Sequence, residues 1–418
     1  MRVAVVGAGI SGLAAAQALA GRAEVHLFEA APRAGGHAHT VEVEEAGRRF
    51  PVDMGFIVYN RRNYPGFSGL LDELGVESAA SSMGFSVHDP ASGFEYCGGG
   101  LGGLLARRGN VVDPRLWQIA AGAWRLWRAG TAELAAGRTR TLGAFAGACR
   151  LPPAFVNLYL LPMVGAIWSM PRERALDFPA ATVLAFFRQH GLLDLLHLPA
   201  WRTIRGGSRR YVEALLGQLA RRGAAIHLAT PAERVRRLGE GVELRLAGGA
   251  AARFDQVVLA LHSDQALALL ADPTPDEAAV LGAIRYRSSE LLLHDDRRLL
   301  PRRRRAWASW NVRLDEAAGI GVTYLMTRLQ PLPTATPWCV TLNRSHLVDP
   351  ARVRHRASFS NPQFDAAAIA AQERWSAVSG RRGTHYCGAY WRHGFHEDGL
   401  WSGRRAAAAV LLSAARAA

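Results

Sequence analysis

Residues 2–29 constrain this chain more than any other segment. Arg2–Val6 reads as a short buried strand and runs directly into Gly7-Ala8-Gly9-Ile10-Ser11-Gly12. Leu13 to Ala20 is a strong helix former ended by Gly21, Glu24–Phe28 reads as a second strand, and Glu29 stands at its end. Strand, glycine turn, helix, strand and acid in this order mark a dinucleotide-binding βαβ unit, which a GxGxxG without that context does not. Gly7 permits the tight turn, Gly9 lets main chain approach a pyrophosphate, and Gly12 lets the helix lie close to the strand. The helix start presents free N–H groups and a positive dipole to phosphate, and Glu29 is placed to accept from a ribose hydroxyl.

The next segment departs from a continuous dehydrogenase domain. Arg33-Ala34-Gly35-Gly36-His37 takes the place of a second regular helix, and strands over Thr40–Glu44 and Arg48–Val52 lead to Asp53-Met54-Gly55-Phe56. A second glycine turn close to the first suits a longer ligand with more main-chain contacts, which points to FAD rather than NAD. The expected fold class is α/β: an FAD-binding Rossmann-like domain of glutathione-reductase type carrying an inserted α+β substrate domain. Composition shifts divide the chain into cofactor pieces 1–60, 201–275 and 381–418 and substrate pieces 61–200 (helical) and 276–380.

The length of 418 residues calls for two lobes or a large insertion. Apolar residues at 49% are enough for a sizeable core and exclude a disordered chain. The net charge of +15 comes entirely from Arg, because the chain has no Lys, so no mechanism through a lysine amine is open to it. The basic excess reads either as a genome bias toward Arg or as a surface that meets anions. The four cysteines lie far apart without metal spacing, which fits a reduced compartment and no metal site. Strand character from the second residue leaves no room for a signal peptide. Leu151 to Pro171 is uncharged but holds prolines 152, 153, 162 and 171, which argues against a lipid-facing helix. It reads equally as core or as the roof of an apolar tunnel.

The glycine motif, Glu29, Arg33-Ala34-Gly35-Gly36 and the closing segment resemble the amine-oxidase and phytoene-desaturase superfamily of FAD enzymes, over nearly the whole chain. The stretches Gly35–Thr40, Val52–Asn60, Ala260–Leu267, Trp307–Asn311 and Gly394–Gly399 resemble one bacterial branch of predicted FAD oxidoreductases associated with cyclopropane-fatty-acyl-synthase-type methyltransferases. Some members of that branch resemble a flavin-dependent desaturase of modified fatty acids. The chain departs from the wider pattern at His37, where amine oxidases commonly carry Arg, at Gly388-Ala389-Tyr390, where they tend to have Gly-x-Glu, and in having no lysine near the flavin.

The resemblance implies that Gly206 and Gly207 approach the flavin and that Val235 meets adenine through its main chain. It makes Gly394, Gly399, Ser402 and Gly403 the family's last motif, with a helix beginning at Gly399 and aimed at the flavin. Glu397 and Asp398 read as ribityl ligands or as helix caps, His396 as a proton acceptor or a structural histidine. The expected cofactor-binding set is therefore Gly7, Gly9, Ile10, Ser11, Gly12, Glu29, Arg33, Gly35, Gly36, His37, Asp53, Gly55, Phe56, Gly206, Gly207, Val235, Gly388, Glu397, Asp398 and Gly399. Tyr390 and His396 are the expected proton acceptors, and His262 with Asp264 reads as a loop feature rather than a catalytic pair. Trp117, Trp124 and Trp127 with interleaved Arg, and the run Arg302–Arg305, read either as core and solvated charge or as a surface for an anionic membrane. No nucleic-acid module accompanies the charge.

The leading expectation is an oxidoreductase that oxidises or desaturates an apolar small molecule or acyl-lipid substrate by hydride transfer to flavin N5, cytoplasmic or peripheral on the inner membrane face. The alternatives are a soluble amine or amino-acid oxidase and a non-catalytic flavoprotein partner of a lipid methyltransferase.

Overall fold

Val3, Ala4, Val5 and Val6 are shielded on both faces, the signature of a central parallel strand. The computed structural model, which describes residues 1–168, 172–193, 199–315 and 319–417, shows why. In chain order the elements that build the cofactor lobe are β1 (Arg2–Val6), α1 (Ile10–Leu19), β2 (Glu24–Phe28), α2 (Pro65–Leu74), then α3 (Pro114–Ala135) in the other lobe, α4 (Arg209–Arg221), β3 (Ala225–His227), β4 (Gln256–Leu259), β5 (Thr384–Tyr386) and α5 (His396–Ala417). The five strands form one parallel sheet in the order β3-β2-β1-β4-β5. Strand order reverses at β1, whose neighbours come from a segment 20 residues on and another 250 residues on, so the crevice for a ligand opens beside it.

Helix α1 is Ala-rich and buried over nearly its whole length between the sheet, α4 and α5. Its contact with α5 is made by glycines one turn apart. A Cβ on Gly399 would stand 2.7 Å from Ile10 Cγ2, and one on Gly403 would stand 2.1 Å from the Ser11 carbonyl oxygen. The closing motif therefore serves first as a close-packing face for the glycine-turn helix. Its helix also begins at His396, three residues before the expected Gly399, because the Asp398 carboxylate reaches back to the Phe395 N–H and fixes the first turn there.

A seven-stranded sheet forms the other lobe, in the order Val353–Gln363, Arg285–His294, Cys339–Leu342, Gly319–Leu325, Trp310–Asp315, Phe85–Asp89, Phe94–Cys97. Two of these strands lie in the 61–200 segment, read from sequence as helical. They form a hairpin around residues 90–93, and Phe85–Asp89 pairs in parallel with Trp310–Asp315. Helix α3 and the helices between residues 142 and 189 cover this sheet, and Leu151, Phe155, Leu158, Leu160, Leu161, Val164 and Trp168 are buried in their core. Residues 156–160 form a π-helical turn, a geometry that collects at functional sites. The end of the uncharged stretch, residues 169–171, lies outside the described residues. Among the described residues no helix is long and apolar enough to cross a membrane.

Candidate cofactor and substrate site

The carboxyl ends of β1, β2, β4 and β5 deliver Gly7, Glu29, Ala260–His262 and Gly388 to one edge of the sheet. Gly7 has φ +101°, and a Cβ there would meet the Ala260 carbonyl oxygen at 2.4 Å, so this turn admits only glycine. Gly12 is equally constrained, since its Cβ would stand 1.8 Å from the Gly7 carbonyl oxygen. Gly9 differs. It is the N-cap of α1 with φ −73°, no side chain caps the helix, the first turn carries no acid, and a Cβ would meet nothing within 4 Å. Open space thus lies in front of an uncapped helix start, which is what a diphosphate requires.

Glu29 bridges this turn to the end of β2. One carboxylate oxygen accepts the Ala8 N–H at 2.7 Å and the other the Ala31 N–H at 2.9 Å, and each retains a lone pair for a ribose hydroxyl. The second glycine turn packs on the first: Gly36, at φ +56°, would bring a Cβ within 3.2 Å of Gly9 Cα. Arg33 closes that turn by donating to the Gly36 and Ala38 carbonyls at 3.1 and 3.3 Å. The two turns form one main-chain cradle, and its open helix start and Glu29 fit the diphosphate and a ribose of FAD.

Several expected ligands are committed elsewhere in the protein. Asp53 is fully buried, and its carboxylate accepts from Thr40 Oγ1, the Ser208 N–H and hydroxyl, and Gln330 Nε2. It locks the start of α4 onto the strand Arg48–Asp53 and has no face left for a ligand. Gly206 and Gly207, at φ +80° and +87°, serve the same junction, since a Cβ on Gly207 would stand 2.5 Å from Thr40 Cγ2. The Glu397 oxygens accept the Gly66 and Phe67 N–H groups at 2.8 Å each and so cap α2, while Asp398 caps its own helix. Both acids therefore act as helix caps, the alternative weighed for them from the sequence. Val235 gives its carbonyl to the Ala271 N–H. Gly388 donates to Ser402 Oγ and makes room for the Tyr390 ring, which a Cβ would meet at 2.3 Å. Gly55 lies against the His37 carbonyl, and the Phe56 N–H donates to it at 2.9 Å.

Of the two expected proton acceptors, Tyr390 is 2% exposed against Tyr286 and Trp391, and burial holds its phenol well above the ordinary range. It cannot take a proton at neutral pH. His396 is buried, stacked on Phe56 at 3.7 Å, with Nε2 2.7 Å from the Tyr211 hydroxyl, so the structural alternative holds for it. Two other imidazoles are part-exposed beside the cradle. His37 and His262 lie 6.2 Å apart by ring centres, one from the second glycine turn and one from the loop after β4. His262 stacks on Tyr286 at 4.3 Å. His37 stacks on Phe359 at 4.7 Å, and His355, from the same strand, packs edge-on to His39 at 5.4 Å. His355 and Phe359 escaped the sequence reading. Their four-residue spacing, which puts both on one face of a strand, was the available signal.

These groups make stability depend on pH. Burial lowers His37, His39, His190, His294 and His385 to about 4 and His396 to about 3. Their contribution is present above the ordinary histidine value and is lost as pH falls from about 6.5 toward 4. Burial raises Asp53 and Asp398 to about 6, so their protonation favours the fold over much of the same window. Six imidazoles outweigh two carboxyls. The melting temperature is expected to fall between pH 7 and pH 4 in a calorimetric series, and a maximum near pH 4 would contradict the assignment.

A parallel sheet with a double glycine cradle at its carboxyl edge defines a dinucleotide-binding flavoprotein. The sequence model of flavin containing amine oxidoreductases matches residues 10–293, and the chain belongs to that family. It is accordingly an FAD-dependent oxidoreductase. No curated protein sequence matches the chain. Among solved structures it is similar to cyclohexylamine oxidase from Brevibacterium oxydans IH-35A (16% identity, 99% of each chain, TM-score 0.68). It is also similar to a CLA-producing fatty acid isomerase from P. acnes (16% identity, 97% of each chain, TM-score 0.67) and to a putrescine oxidase solved with putrescine (16%, 99% of each chain, 0.66). At such identity the likeness carries the fold, and the substrate has to be argued from the site.

Proposed function

We propose that this oxidoreductase acts on an acyl-lipid or similarly apolar substrate and removes two hydrogens from a carbon–carbon bond. The observation that carries the reading is the lobe over the seven-stranded sheet, where 18 consecutive residues from Leu151 to Trp168 bear no charge and include a π-helical turn. A site for a small cationic amine needs a carboxylate or an aromatic cage to receive it. The acids at this edge of the sheet are instead spent on main-chain N–H groups.

Gly9, Ile10, Ser11 and Gly12 would hold the diphosphate, Glu29 a ribose, and Gly36 with His37 the continuation of the cofactor. Bound FAD supplies the two-electron acceptor. The part left to the protein is to exclude water and take one proton. His262, part-exposed beside the cradle and stacked on Tyr286, fits that task, since burial leaves its imidazole neutral and able to accept a proton, whereas His37, lowered to about 4, is the weaker base. Incubation with phospholipids should yield a product two mass units lighter in one acyl chain. His262→Gln should lower kcat and flatten the acid limb of its pH profile, with FAD content retained. Hydrogen peroxide released from an amine panel, with acyl chains unchanged, would favour an amine oxidase and overturn the lipid reading.

A further inference from the structure

Nine large apolar side chains are strongly exposed among the described residues, and six of them fall between residues 101 and 127. They are Leu101 (77%), Val111 (48%), Val112 (83%), Trp117 (61%), Trp124 (50%) and Trp127 (42%). We propose that this face docks on an anionic phospholipid bilayer, with the tryptophans at headgroup depth and the neighbouring arginines on lipid phosphates.

Helix geometry sets the face. Trp117, Trp124 and Trp127 are seven and ten residues apart on α3, within about 80° of one another around its axis. The opposite side, with Leu116, Ile119, Gly122 and Leu126, is buried in the lobe core, and Gly122 backs directly onto Phe155 of the uncharged stretch. A solvated helix of this length would carry acids and bases on its outer side. The exposed positions of α3 carry Arg125 and Arg128 and no acid, since Glu133 is buried and bound to Arg140. Between Leu101 and Ala132 the only acid is Asp113, which caps α3 and binds Arg115.

The border is basic as well. Residues 304–306 pack against Leu101–Leu104 and bring Arg304 and Arg305 to the edge of the patch. Neither these nor Arg107, Arg108, Arg125 and Arg128 form an ion pair with a described residue. Arg303 is different, because it is anchored to the buried Glu95 at 2.7 Å, while Arg304 beside it lies over the Trp307 ring at 5.5 Å. Tryptophan bands with arginine flanks match the interface of an anionic leaflet. A second copy of the chain would set arginine against arginine on a shared axis, which disfavours self-association through this face. The inference rests on the lipid reading only for its purpose, and docking is measured without turnover.

The test is flotation of the FAD-loaded protein with phosphatidylcholine vesicles, with and without phosphatidylglycerol. The proposal expects binding to the phosphatidylglycerol vesicles alone, weakened by salt, with a blue shift of tryptophan emission. Trp117→Ser with Trp124→Ser should reduce binding about tenfold or more, and Arg107→Glu with Arg108→Glu about fivefold per residue, with flavin absorbance and melting temperature unchanged. Absence of binding, or variants that bind like the parent, would overturn it. So would a dimer that the Trp→Ser changes dissociate. Docking with no acyl oxidation would sink the proposed substrate but leave this surface standing.

Discussion

Gly9→Glu is expected to purify folded and colourless. Its φ of −73° suits any residue and its Cβ would meet no protein atom within 4 Å, so the fold has no reason to object. The new carboxylate would project into the space before the α1 N-terminus and repel the diphosphate there. FAD affinity should fall at least about a hundredfold, equivalent to about 3 kcal/mol. Gly12→Ala, three residues on and chemically milder, should do the reverse. Its methyl would lie 1.8 Å from the Gly7 carbonyl oxygen, with Ala260 Cβ 3.1 Å away. A loss of about 3 kcal/mol or more, read as low soluble yield or a depressed melting temperature, follows from such overpacking. A yellow Gly9→Glu protein, or a Gly12→Ala protein of unchanged stability, would contradict the cradle.

The second large effect lies at the far side of the cofactor sheet. Arg237 donates to Glu277 at 2.6 Å, with neither side chain measurably exposed beyond 1%, and Glu277 also accepts from the Tyr386 hydroxyl at 2.6 Å. Burial pushes the Glu277 carboxyl up, and its hydrogen bonds to Arg237 and Tyr386 more than offset this and hold it below the ordinary value. Arg237→Leu would strand a buried carboxylate. It should cost about 3–5 kcal/mol and lower the melting temperature by about 3–6 °C for a chain of this length. Arg237→Leu with Glu277→Leu should recover much of that loss, because removing both charges also removes their desolvation cost. A single variant that melts with the parent would show the pair to be dispensable.

The cofactor edge was legible because its pattern is local. The strand, the glycine spacing, the helix and the acid after the second strand all stand within residues 2–29, so the pattern could be read without the fold, although the atom that makes Gly7 obligatory, the Ala260 carbonyl oxygen, comes from a distant strand. Asp53, Glu397 and Gly399 have structural roles that the sequence did not show, for a common reason. Their partners, Ser208, the Gly66 N–H and Ile10, lie 155 to 389 residues away in sequence, and no periodicity reports a contact of that separation. The same holds for His37, whose neighbours Phe359 and His262 arrive from a strand and a loop in different pieces of the chain. The hairpin Phe85–Cys97 was lost in a helical segment because it is short and finds its sheet partner at Trp310. The tryptophans of α3 were visible from the outset, but only the fold shows that they face outward.

The most direct measurement is anaerobic. The purified protein would be titrated with phospholipids bearing mono-unsaturated or mid-chain-methylated acyl groups, and in parallel with amines, while the oxidised flavin absorbance is followed. Bleaching by acyl lipid, with a new double bond in the recovered chain, is the predicted result. Bleaching by amines alone, with every lipid inert, would contradict the account.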